Sequence, residues 1–165
     1  MKTKERKPFF LFIWIEMAIH FFTEDTSFNL PQKRVRKSWL NSLATSEGFQ
    51  IVELNYIFCS DEYLHKINLE YLNHDTLTDI ITFDNSEDEN VIEGDIFISI
   101  DRVKENAKTH KSELQQELSR VIGHGLFHLM GYKDKEEEEV KAMRRKESEG
   151  IKLFEELSVP RETGK

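Results

Sequence analysis

One segment constrains this chain more than any other: His124-Gly125-Leu126-Phe127-His128-Leu129-Met130-Gly131-Tyr132-Lys133-Asp134. Histidines spaced this way on a helix share one face, one turn apart, and can reach a single metal ion. Gly131 can take the left-handed backbone conformation that reverses a chain at a helix end. Asp134 can then return toward the His pair as a third ligand. Three protein ligands leave a coordination position open, the mark of a catalytic zinc site rather than a structural one. Asp134 has a competing role, because with Glu137 it forms D-x-x-E, a capping box for a following helix.

Elsewhere the hydrophobic pattern predicts strands early and helices late. Residues 18–23 read as a strand, and Pro31 opens a helix over 31–46 that stops before Gly48. Gln50 to Ser60 reads as a second strand, and Ser60 caps a helix reaching about Asn73. Ile80 to Phe83 and Ile92 to Ile100 are further strands, joined by an acidic turn over Asp84 to Asn90. Asp101 is expected to cap a short helix to Thr109, and Ser112 with Gln115 to form a capping box for the His-bearing helix. A charged helix over Lys135 to about Leu157 ends the pattern. This order predicts an α+β domain with a helical side layer.

At 165 residues the chain is long enough for one domain with a real core, two at most. A single cysteine, Cys59, excludes a disulfide framework and any CxxC zinc site, and it reads as a small core residue. It is compatible with a reducing compartment, and a cytoplasmic location is expected. The net charge of −8 argues against a uniformly basic nucleic-acid sleeve. Basic residues nevertheless cluster at Lys33, Arg34, Arg36 and Lys37, and again at Lys141, Arg144, Arg145 and Lys146. The apolar run Phe9 to Ile15 is far shorter than the roughly 20 residues that span a bilayer. It is interrupted at Glu16 without a small-residue cleavage site. Residues 1–16 are expected to be an upstream extension, with Met17 the natural start and 17–165 a single domain.

Gly125 narrows the chemistry. Zinc proteases of the H-E-x-x-H type carry their general base, a glutamate, directly after the first histidine. Glycine offers no carboxylate there, so peptide hydrolysis is disfavoured. A metal at this site can still activate water and polarise a phosphoryl oxygen.

The segment His124 to Asp134 resembles the motif H-G-x-L-H-L-x-G-Y-D-H of the YbeY family of metal-dependent endoribonucleases. The stretch Asn68 to Phe83 is similar to that family's Asn-x-x-Tyr-Arg-x-x-Asp-x-Pro-Thr-Asp-Val-Leu-Ser-Phe. Gly94-Asp95-Ile96-Phe97-Ile98-Ser99 is similar to its Gly-Asp-Ile-x-Ile-Ser strand. The order and spacing agree over roughly Ala18 to Leu157. The resemblance implies a zincin-like α+β fold: a small mixed sheet packed by helices, with the metal on a helix and the turn after it. With the ligand spacing, the expected site holds one Zn2+ per chain on His124, His128 and Asp134, and cleavage is driven by a zinc-bound water or hydroxide or by a zinc-polarised phosphate, with attack by water or by the RNA 2′-hydroxyl both open. The resemblance further implies single-stranded RNA as substrate, maturation of the 3′ end of small-subunit rRNA, ribosome quality control, and the small ribosomal subunit as partner.

Two departures stand out. Asp134 replaces the family's usual third histidine, with Lys133 in place of the usual Asp, and Leu72 replaces an arginine that often follows the tyrosine. Lys133, His74 and Lys66 are the candidates to supply that missing charge, and Asp79 lies in a matching motif where it can orient a ligand or support the fold. Lys33, Arg34, Arg36 and Lys37 are candidate phosphate contacts, and Tyr132 a candidate base-stacking ring. Two alternatives are an RNA-binding ribosome-assembly factor with a structural metal and, less favoured, a zinc peptidase. A carboxylate ligand makes the site less positive than three imidazoles, so its bound water should be less acidic. The pH–rate profile of the natural sequence should therefore peak at higher pH than that of Asp134→His; an equal or lower optimum would contradict this.

Overall fold

The computed structural model describes residues 18–74 and 77–160. The expected extension over 1–16, the start at Met17, and Asp75 and Thr76 of the central motif lie outside the described residues. The elements run β1 (Ile19–Thr23), α1 (Lys33–Ser46), β2 (Gln50–Cys59), α2 (Asp61–Leu72), β3 (Ile80–Asp84), β4 (Val91–Ser99), α3 (Ile100–Thr109), α4 (Leu114–Leu129) and α5 (Glu137–Ser158). The strands and helices expected from periodicity are present, with ends moved by a few residues.

The sheet order is β1-β2-β4-β3, with β2 parallel to β1 and β4, and β3 antiparallel to β4. Parallel neighbours need a crossover, which α1 provides between β1 and β2. The acidic link after Asp84 is short enough for an antiparallel return. Alternation along the strands sends Leu54, Tyr56, Ile96 and Ile98 to one face, where α1 and α4 cover them, and α5 packs on those two helices. Cys59, Ile81 and Phe97 point the other way, beneath Leu64 and Ile67 of α2. This is the small mixed sheet of an α+β chain.

The position of α4 follows from two close approaches. A Cβ on Gly125 would lie 3.0 Å from Ile80 Cδ1 and from Ile96 Cδ1 and Cγ2, so the helix sits directly on β3 and β4. A Cβ on Gly94 would lie 2.6 Å from the Phe83 carbonyl oxygen and 3.0 Å from Leu129 Cδ1. On the opposite flank, Phe127 packs in the core with Trp39 of α1 and Phe154 of α5. The Trp39 Nε1 donates to the Gly150 carbonyl at 2.8 Å, which ties α1 to α5. With two flanks of α4 covered, the stripe Arg120, His124, His128 at successive turns is left half-exposed.

Three helix starts differ from expectation. Ser99 caps α3, accepting from Arg102 N at 3.2 Å, while Asp101 instead accepts from Asp61 N at 2.9 Å. The Ser112–Gln115 box is absent: Glu113 is the residue before α4, without a side-chain cap. The Ser112 hydroxyl has no hydrogen-bond partner among the described residues, and Gln115 accepts from Arg36 at 3.1 Å. In α5 the box is Glu136–Glu139, with the Glu139 carboxylate accepting from Glu136 N at 3.0 Å and Lys135 N at 3.1 Å. Those backbone hydrogen bonds hold the Glu139 carboxyl below the usual carboxylate range. Asp134 is thereby released from capping.

Arg36 is a correction to the expected RNA-facing cluster. It shares the inward face of α1 with Trp39, Leu40, Leu43 and Ala44, because helical periodicity places it there. Its guanidinium lies 4.5 Å from the centroid of the Phe154 ring. It donates to the Pro31 carbonyl at 3.0 Å and to Ser119 Oγ at 3.2 Å. Burial pushes its pKa down to about 10, the signature of a structural rather than a solvent-facing cation. Arg36→Ala should lower the unfolding free energy by about 2–4 kcal/mol in urea titration, through lost packing and unpaired acceptors. Exposed Lys33→Ala should stay within about 0.5 kcal/mol. An Arg36→Ala protein of full stability that binds RNA more weakly would contradict this assignment.

Candidate metal centre

The site is assembled by the end of α4 and the turn after it. Met130 closes the helix, and Gly131 adopts φ +98°, a conformation open to glycine at little cost. Gly131 N donates to the His128 carbonyl and Tyr132 N to the Phe127 carbonyl, each at 3.0 Å. This tight reversal brings Asp134 back over the last turns of the helix. Asp134 Oδ2 lies 3.4 Å from His124 Nε2 and 3.3 Å from His128 Nε2. The three side chains offer donor atoms that all lie within 4.8 Å of one another, so the group could hold a metal ion.

The other ring nitrogens explain why these three atoms converge. His128 Nδ1 is 2.9 Å from the Tyr132 carbonyl oxygen, which can only accept, so this nitrogen carries the hydrogen. His124 Nδ1 is 2.6 Å from Glu147 Oε1 and donates to it. In the neutral rings the lone pairs are then on both Nε2 atoms, aimed at a carboxylate oxygen. Three electron-rich atoms at this separation suit a divalent cation between them, and the backing of each histidine by an oxygen acceptor is what metal ligands usually show. The residues present therefore fit a metal. His124 and His128 are half-buried and Asp134 is exposed, so the open side of the cluster faces solvent.

That open side is a cleft of about 410 Å³ lined by His128, Lys133, Asp134, Lys135, Glu136 and Glu139. Of the three candidates for the missing charge, Lys133 is thus the one on the cleft wall. Lys66 pairs with Glu62 at 3.6 Å on the exposed side of α2. His74 and Leu72 are exposed around the end of α2. Lys33 and Arg34 are exposed and Lys37 half-buried on α1. Their neighbour Arg36 contacts Gln115 and Ser119, which sets this cluster beside the first turns of α4 rather than at its metal-bearing end. Cys59 is buried and its thiol is pushed up to about 12, chiefly by burial, consistent with a core residue rather than a nucleophile.

Tyr132 is half-buried, and its ring is already engaged. Phe127 meets it edge-on at 5.8 Å between centroids, and its hydroxyl donates to Glu47 Oε1 at the end of α1. Burial and the Glu47 carboxylate hold its pKa above the usual phenol value. The helix-end packing role, rather than base stacking, is what these contacts support.

Two residues at the site carried no assignment from sequence. Glu147 reaches His124 from α5, 23 positions along the chain. Arg120 lies one turn before His124, with Nη1 at 3.4 Å from the same Glu147 oxygen and Nη2 at 2.6 Å from Glu117 Oε1. Arg120 could have been found by extending the His stripe one turn backward; Glu147 had no local signal. Because Tyr132 supports His128 through its backbone carbonyl, Tyr132→Phe should keep its metal content in elemental analysis. It should lower unfolding free energy by about 1 kcal/mol through the lost Glu47 bond. Loss of metal without loss of stability would contradict this division of roles.

No helix among the described residues is long and apolar enough to cross a membrane. A family model described as endoribonuclease YbeY matches residues 18–155. The Endoribonuclease YbeY of Cytophaga hutchinsonii is 56% identical over 138 residues, covering 84% of this chain and 96% of that protein. That of Flavobacterium johnsoniae is 50% identical over 133 residues, covering 81% and 95%. The solution structure of TM1509 from Thermotoga maritima has the same fold, with a TM-score of 0.59 at 22% identity over 89% of this chain and 99% of that one. The converging histidines and carboxylate thus sit within a match that spans nearly the whole fold, and the chain belongs to the endoribonuclease YbeY family.

Proposed function

We propose that this chain is a metal-dependent endoribonuclease that cuts single-stranded RNA, acting in 3′-end maturation of small-subunit rRNA and in ribosome quality control. Membership of the endoribonuclease family supports the reaction class. The convergence of His124 Nε2, His128 Nε2 and Asp134 Oδ2 beside an open cleft is the single observation that carries the site. In this reading the ion is zinc, the partner is the small ribosomal subunit, and the working compartment is the cytoplasm. A set of two imidazoles and one carboxylate is a zinc donor set of the catalytic type.

When bound, zinc supplies Lewis-acid polarisation of a phosphoryl oxygen and activation of water. The chain's own residues do the rest. Glu147 and the Tyr132 carbonyl hold the protons on Nδ1 of the two histidines, which keeps both Nε2 atoms free for the ion. Exposed Asp134 completes the set from the solvent side, leaving the approach from the cleft open to a phosphodiester. Lys133 and Lys135 on the cleft wall offer cationic contacts to flanking phosphates.

The peptidase alternative meets a steric obstacle as well as a chemical one. Position 125 faces Ile80 and Ile96, where even a Cβ would lie 3.0 Å from their side chains, so a carboxylate there would crowd the sheet. The assembly-factor alternative draws on Leu72, which leaves no arginine at the end of α2. Cleavage of a single-stranded RNA by zinc-loaded protein separates the readings. The natural protein should cut; Asp134→Ala should lose most bound zinc and at least about 100-fold in rate while staying folded by circular dichroism. Zinc binding without cleavage of free RNA or of immature small-subunit particles would favour the assembly-factor reading.

A further inference from the structure

The contacts behind His124 extend beyond the metal cluster. Glu147 is only 8% exposed. Its Oε1 lies 2.6 Å from His124 Nδ1 and 3.4 Å from Arg120 Nη1. Arg120 is held in turn: its Nε donates to Glu117 Oε1 at 3.0 Å and Oε2 at 3.1 Å, and its Nη2 lies 3.8 Å from Asp79 Oδ2. Asp79 accepts from Asn106 Nδ2 at 3.3 Å. A chain of polar contacts therefore runs from Asn106 of α3 and Asp79, just before β3, through Arg120 of α4 and Glu147 of α5, to one metal-ligand histidine.

We propose that Glu147 is the positioning residue that orients His124 toward the metal, and that Arg120 acts on the site through Glu147 rather than on RNA. The proposal rests on the metal-site reading above. An arginine one turn from the first ligand invites a different role, as a phosphate clamp. Its geometry opposes that role. Nε, Nη1 and Nη2 are all turned to carboxylates, and three carboxylates surround one guanidinium, so no net positive field is left for a phosphate. The two histidines also differ in kind. His128 is supported by a backbone carbonyl that no side-chain change removes. His124 depends on a side chain delivered by a separate helix, so its orientation is set by how α5 packs on α4. A buried carboxylate behind a ligand histidine fixes the ring's tautomer and raises its donor strength.

The test is metal affinity by chelator competition, read alongside the visible spectrum of the cobalt-substituted protein. Glu147→Gln should weaken zinc binding by about 10–100-fold and shift the cobalt bands. Glu147→Asp should recover part of the loss. Arg120→Gln should weaken zinc binding in the natural background and add nothing in the Glu147→Gln background, the signature of two residues acting as one unit. If Glu147→Gln fails to fold, Arg120→Gln and Glu147→Asp carry the comparison. Imidazole nitrogen NMR of the unmutated zinc protein should then show the proton on His124 Nδ1 and the metal on Nε2. Unchanged zinc affinity and cobalt spectrum in Glu147→Gln would overturn the proposal. So would an Arg120→Gln protein with full zinc affinity, a raised KM for RNA and a salt dependence of binding reduced by about one unit. An unmutated protein that binds neither zinc nor cobalt would remove the metal-site reading itself.

Discussion

The hydrogen bonds on the far side of the two histidines are the constraint on which this site depends. An imidazole has two nitrogens, and the protein engages Nδ1 of each: Glu147 at His124 and the Tyr132 carbonyl at His128. Only then do both Nε2 atoms face the same point, with Asp134 opposite. Everything around the pair serves that arrangement. Gly125 and Gly94 let α4 lie close against the sheet. Trp39 and Phe154 bring α1 and α5 together beside Phe127, which places Glu147 within reach. Tyr132 carries the backbone carbonyl that backs His128, while its hydroxyl packs the helix end against Glu47.

Charge balance separates this site from one built of three imidazoles. In the proposed metal centre Asp134 and Glu147 would bring two carboxylates to one divalent ion, and the neighbouring Arg120 is shared among Glu117, Asp79 and Glu147. Little positive charge remains at the centre to attract RNA. The cations that reach the cleft are Lys133 and Lys135, beside Glu136 and Glu139. Substrate attraction then depends on a few exposed side chains and on the ion, a setting in which binding is sensitive to salt.

What was legible in the sequence was local. The His pair, Gly131 and Asp134 fall within one helix and its turn, so spacing alone placed them together. The strands and helices followed from alternation and periodicity, because each covers one apolar face. Illegible features depended on competition between like residues or on distance along the chain. Several acidic residues at the start of α5 could serve as its cap, and the register settled on Glu136 and Glu139, not Asp134 and Glu137. Arg36 sat among three other basic residues, and only the full buried face of α1 shows that it points inward. Glu147 was one glutamate of many in a charged helix. Its role appears only when α5 folds back on α4.

In the proposed centre one metal ion is held by two imidazoles and one carboxylate. X-ray absorption of the zinc-loaded protein reads that directly. Imidazole scattering from two histidines is expected, with the remaining donors oxygen at about 2.0–2.2 Å and no sulfur. Scattering from one or three imidazoles, or a spectrum unaltered by Asp134→Ala, would contradict it.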